Sequence, residues 1–100
     1  MTLLALFLII ASYLVGAIPF GLLLSRGSGV DIRTQGSKNI GATNVARLLG
    51  KKLGILTLLA DIGKGYAPIF IAGRLLPADT QQGTALALCG AATVLGHMFP

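Results

Sequence analysis

The sequence predicts an all-α integral membrane protein whose three transmembrane helices form part of a larger multi-span helical bundle. Composition is the first observation behind this. Of 100 residues, 54% are hydrophobic, and the mean hydropathy is +0.83. A soluble domain this short buries too little surface to hide that much apolar material. Charge is the second: only 11% of residues are charged, against roughly 25% in an average soluble domain. The third is patterning, because three apolar stretches alternate with one long basic loop and one short, nearly neutral connection. Together they predict one membrane domain over residues 1–100, with spans at about 2–24, 53–73 and 80–99 and a site loop at 25–52.

Residues Thr2 to Leu24 carry no charge. As one helix they would reach about 34 Å, enough for a hydrocarbon core of about 30 Å. A cleaved signal peptide wants a basic n-region before a shorter apolar core. Nothing basic precedes this run, which favours a retained span, with Pro19 expected to bend it. The second span, from Leu53 to Gly73, contains Asp61, Lys64 and Pro68. The third, from Thr80 to Phe99, has His97 as its one ionisable side chain besides the thiol of Cys89.

The net charge is +5, and six of the eight Lys and Arg residues lie between the first two spans: Arg26, Arg33, Lys38, Arg47, Lys51 and Lys52. Such a patch suits nucleic acid, anionic lipid or a phosphorylated metabolite. Beside a membrane the last two are favoured. Basic loops stay cytoplasmic, so the site loop is expected inside and the N-terminus and the loop around Pro77 outside. His97 then returns to the cytoplasmic face. Cys89 is alone in an apolar run and reads as a small core residue.

The stretch Gly36 to Arg47, GSKNIGATNVAR, is a polar island between two apolar segments. Its glycines, Gly41 among them, allow close backbone approach, and exposed N–H groups in such loops form anion-binding nests. Thr43 or Ser37 is a candidate N-cap for a short helix over the run after Thr43, NVARLLGKKLG. Thr43 and Arg47, four apart, then share a face. Arg47 presents a planar fork suited to phosphate, and a helix N-terminus with Arg47 and Lys38 makes a phosphate seat. The alternative is a capped, solvated loop whose charges only orient the protein. Asp61 and Lys64, three apart, share a helix face, either as a structural ion pair or as a site within the span. His97 is either structural or site-lining. The sequence holds no Ser/His/Asp order, CxxC, HExxH or Walker loop, so triad and zinc chemistry have no support.

At these residues the chain resembles a known family. GSKNIGATNVAR resembles the first signature of the bacterial membrane acyl-phosphate:glycerol-3-phosphate acyltransferases. DIGKG, Asp61 to Gly65, is similar to that family's second-span motif, and GHMFP, Gly96 to Pro100, looks like the opening of its next signature. SYLVGAIPFG near the N-terminus also fits. The resemblance implies an inner-membrane enzyme that moves a fatty acyl group from a long-chain acyl phosphate to the 1-hydroxyl of glycerol 3-phosphate. The product is 1-acylglycerol 3-phosphate, and no metal or cofactor is expected. The expected partners are these two substrates, the lipid bilayer and the enzyme that makes the acyl phosphate, with no nucleic acid. The expected phosphate ligands are Arg47 and Lys64, with Lys38 weaker. Ser37, Asn39, Gly41, Thr43 and Asn44 are expected to orient substrate, and His97 and Asn39 to act in catalysis. Family members are about twice this long, and their GHMFP segment leads into a glycine-rich FxGGKG that this chain does not contain. The chain therefore reads as an N-terminal half, expected to insert in a membrane but to be inactive alone. Two rivals remain: a transporter segment for an anionic solute, and a non-catalytic membrane assembly subunit.

Overall fold

The computed structural model describes residues 2–99, and among them every regular element is helical. In chain order the helices are α1 (Leu3–Gly16), α2 (Phe20–Leu24), α3 (Ala42–Leu49), α4 (Lys51–Leu75) and α5 (Gln82–Met98). The chain forms two compact units, one of residues 1–18 and 63–100 and the other of residues 19–62, so the division falls within α4. Met1 and Pro100, the last residue of GHMFP, lie outside the described residues.

In the first unit α1 packs on α5. Thr2 caps α1, its hydroxyl accepting from the Ala5 N–H at 3.2 Å, which satisfies one of the orphan donors of the first turn. The two helices meet through small residues. A Cβ on Gly16 would overlap the Thr93 carbonyl, and one on Gly96 would overlap the Tyr13 carbonyl. Backbones that come this close gain dispersion contact along their whole length, the main source of helix association where the surroundings are themselves apolar. Farther along, Ala5 and Leu8 of α1, Ala72 and Leu76, and Ala85 and Cys89 of α5 form the core. Cys89 is fully buried there, as expected. The Tyr13 hydroxyl donates to the Phe99 carbonyl at 2.7 Å, tying the end of the GHMFP segment back to α1.

The first apolar segment is two helices, not one. Helix α1 ends at Gly16 and α2 begins at Phe20. Pro19 therefore interrupts the segment where a bend was expected. Proline has no N–H for the carbonyl four residues back. That carbonyl, on Val15, instead accepts from the Ile18 N–H at 3.1 Å, closing a tighter turn. At 25 residues, α4 is long and apolar enough to cross a membrane. At 14 and 17 residues, α1 and α5 fall below the roughly 20 residues of a full crossing.

In the second unit α3 and α4 are separated by Gly50 alone, which takes φ of +100° and so allows one helix to stop and the next to start at once. Helix α3 is amphipathic. It buries Asn44 and Val45 and exposes Thr43 and Arg47. Its N-cap is Gly41, with no side-chain capping bond. Neither Thr43 nor Ser37 serves, because the helix begins one residue before Thr43 and the Ser37 hydroxyl accepts from the Asn39 N–H.

Candidate active site

The loop before α3 is built by its own polar side chains. Asn44 is 1% exposed. Its Nδ2 donates to the carbonyls of Ile32 at 2.9 Å, Asn39 at 2.8 Å and Gln35 at 3.2 Å. Its Oδ1 accepts from the Ser37 N–H at 3.1 Å. One carboxamide thus gathers four points of a loop that has no helical or strand ladder to satisfy them. Ile32, fully buried, supplies apolar ballast; covering a side chain of that size contributes about 1.5–3 kcal/mol in water. Asn39 Oδ1 accepts from the Gly41 N–H at 3.0 Å, forming an Asx turn that leads into α3.

The sequence-derived residues differ in what they offer a ligand. Ser37, Lys38, Asn39, Thr43 and Arg47 are exposed, and Gly41 is half-buried. Arg47 lies in the last turn of α3, where a cation is favoured by the helix dipole. Lys38 adopts φ of +64°, the left-handed region that non-glycine residues rarely enter. Asn44 is different, because its side chain is committed to the loop and holds the others in place. Gly36, at φ of +60°, is pressed against Asn44, and any Cβ there would meet the carboxamide oxygen.

Upstream lies an ion pair that the motifs do not include. Arg33 Nε and Nη2 donate to the two carboxylate oxygens of Asp31 at 3.1 and 3.4 Å. The hydrogen bond from the Arg33 side chain, joined by one from its backbone N–H, holds the Asp31 carboxyl below its ordinary value of 3.8. These residues, with Ser25 and Arg26, border an open cavity of about 390 Å³. The ion pair's signal in the sequence is the D-x-R spacing of Asp31 and Arg33, which by spacing alone is one charge pair among several.

Lys64 and His97 belong to the other unit. Lys64 is 7% exposed, and its ammonium donates to the Ile18 carbonyl at 2.9 Å. Asp61, one turn earlier on α4, is half-buried. His97 is exposed near the end of α5. Among the described residues no group of three or more His, Cys, Asp or Glu could hold a metal ion. What the loop can do chemically is bind and orient an anion through Arg47, Lys38 and neutral hydrogen-bonding groups.

The family model described as glycerol-3-phosphate acyltransferase matches residues 6–100. A glycerol-3-phosphate acyltransferase of Desulfotalea psychrophila is 57% identical over 89 residues, which are 89% of this chain and 45% of that protein. One from Myxococcus xanthus is 53% identical over 94 residues, or 93% of this chain and 47% of that protein. Among solved structures, the chain resembles the glycerol 3-phosphate form of PlsY (YgiH), described as an integral membrane glycerol 3-phosphate acyltransferase. The TM-score is 0.84 at 48% identity, over 96% of this chain and 46% of that one. The lysophosphatidic acid form matches with a TM-score of 0.82 at 47% identity, over 96% of this chain and 45% of that one. The chain spans about half the length of the curated relatives it matches.

Proposed function

This chain belongs to the glycerol-3-phosphate acyltransferase family, and on that premise we propose that it forms part of a membrane enzyme that acylates the 1-hydroxyl of glycerol 3-phosphate. The donor in this reading is a long-chain acyl phosphate, and the product is 1-acylglycerol 3-phosphate. The observation that carries the proposal is the ordered GSKNIGATNVAR loop, in a chain 48% identical to a structure described in its glycerol 3-phosphate form.

The hydroxyl oxygen attacks the acyl carbon, the bond to the bridging phosphate oxygen breaks, and phosphate leaves with the electron pair. The hydroxyl proton passes to an acceptor, for which a phosphate oxygen of substrate suffices. An acyl phosphate is already activated, so the protein need not supply a nucleophile. Its work is positioning, together with stabilising the negative charge that grows on the acyl oxygen. Arg47 binds phosphate, with Lys38 assisting. Ser37, Asn39, Gly41 and Thr43 orient substrate by hydrogen bonds, and Asn44 holds their loop. His97 is assigned as a donor or acid/base on the resemblance of its GHMFP segment to the family's next signature. The enzyme lies in the bacterial inner membrane with three spans from this chain, the N-terminus periplasmic and the loop at 25–52 cytoplasmic.

The test is an assay of the full-length protein with acyl phosphate and radiolabelled glycerol 3-phosphate in vesicles. Formation of 1-acylglycerol 3-phosphate, lost in the Arg47→Ala protein, supports the reading. Flux of the labelled solute across the vesicle without acyl product would replace it with transport.

A further inference from the structure

An ammonium inside an apolar segment is costly, and it persists where a specific partner accepts it. Lys64 has such a partner. Its Nζ lies 2.9 Å from the Ile18 carbonyl, and the residue is 7% exposed. Ile18 falls in the gap between α1 and α2. Its carbonyl sits just beyond the C-cap of α1, Ala17, where the helix dipole places partial negative charge. Cations near a helix C-terminus are favoured there and can bond the last carbonyls directly. The turn at Val15–Ile18 closes on its own N–H groups, and the Ile18 carbonyl, which lies outside both helices, is the one the ammonium reaches.

We propose that Lys64 is a positioning residue that pins the interrupted first segment, rather than a ligand for substrate phosphate. A phosphate ligand needs an ammonium open to an arriving anion, whereas this one is buried and engaged by backbone. The lysine of the DIGKG motif then fixes the end of the first helical segment at Ala17–Ile18.

The experiment uses the full-length protein that carries this sequence, reconstituted in phosphatidylcholine vesicles. Amide hydrogen exchange is read over residues 14–18. Lys64→Met should speed exchange there at least tenfold, and Lys64→Arg, which keeps a donor cation, should return it to within threefold of wild type. Under the acyltransferase reading, Lys64→Met should lower kcat while the KM for glycerol 3-phosphate stays within twofold. The exchange result stands independently of that reading. A tenfold rise in KM with unchanged exchange would overturn the proposal and make Lys64 a substrate ligand; unchanged exchange and unchanged kinetics would overturn it as well. If Lys64→Met does not fold, the wild-type protein decides. Acetic anhydride should modify Lys64 at least tenfold more slowly than Lys51 or Lys52, with no further protection on adding glycerol 3-phosphate. Protection that appears only with glycerol 3-phosphate would overturn the proposal.

Discussion

The Asn44 carboxamide nitrogen donates to the carbonyl of Ile32, twelve residues earlier, at 2.9 Å, and both residues are buried. Two further carbonyls and one N–H share the same side chain. Asn44→Ala should therefore cost about 2–4 kcal/mol of loop stability, since buried partners are left unsatisfied. Amide exchange over residues 32–41 should accelerate, and catalysis in the full-length protein should fall with it. Exchange equal to wild type would show that the loop holds without its hub.

Arg47 is expected to act as a two-pronged phosphate contact. Arg47→Lys keeps the charge and loses the fork. In the full-length protein the KM for a phosphorylated substrate should rise about tenfold or more, the equivalent of roughly 1.4 kcal/mol. Wild-type kinetics in a folded Arg47→Lys protein would remove Arg47 from the site.

Two pairs of glycines should behave in opposite ways. Gly16 and Gly96 sit against opposing backbone, whereas a Cβ on Gly63 or Gly65 would meet nothing within 4 Å. Gly16→Val should lower the thermal midpoint of the chain in detergent and expose Cys89 to maleimide. Gly63→Ala and Gly65→Ala should leave that midpoint unchanged or raise it, because alanine favours helix over glycine by up to about 1 kcal/mol. A loss of stability in Gly63→Ala equal to that in Gly16→Val would contradict the packing described.

The Asp31–Arg33 turn should respond to acid. The Asp31 pKa is lowered in the folded chain from an ordinary 3.8. Its contribution is therefore complete above about pH 4 and is lost as the pH falls through the lowered folded value. The Thr34 N–H, which donates to the Asp31 carbonyl at 3.1 Å, reports on the turn. Its chemical shift should stay flat from pH 7 to 4 and move below that. Asp31→Asn should abolish the step, and a step persisting in that variant would assign it elsewhere.

The basic loop is expected on the cytoplasmic side. A single cysteine at position 38, in a Cys89→Ser background, should label from that side only. Labelling from the periplasmic side alone would reverse the orientation.

How much of this was legible in the sequence varies residue by residue. The helical class followed from apolar run length, and the common face of Thr43 and Arg47, both exposed on α3, from their i,i+4 spacing. The break at Pro19 was read as a bend, because sequence marks where a helix is weakened but not whether tertiary contacts let it end. At Gly16 they do, since close packing on Thr93 fixes the last turn of α1. The cap at Gly41 was missed because Thr43 has the better capping chemistry, while loop geometry set by Asn39 and Asn44 decides where the helix starts. Asn44 itself looked like a substrate contact. An asparagine that organises a loop and one that faces a ligand are the same letter, and only burial separates them.

The contact between α1 and α5 bears on how the protein is made. Tyr13 and Phe99, which bond across it, are 86 positions apart in the chain. At synthesis rates of roughly 5–20 residues per second, α1 emerges some 4–17 s before its partner. During that interval α5 is not yet there to pack on. Its one buried hydroxyl, on Ser12, already donates to its own Leu8 carbonyl, and Thr93 does the same to Cys89 in α5. The buried hydroxyls of Ser12 and Thr93 are thus satisfied within their own helices before the two helices meet. Pairing can wait for the ribosome, and Gly16 and Gly96 need only find each other's helix once both are in place.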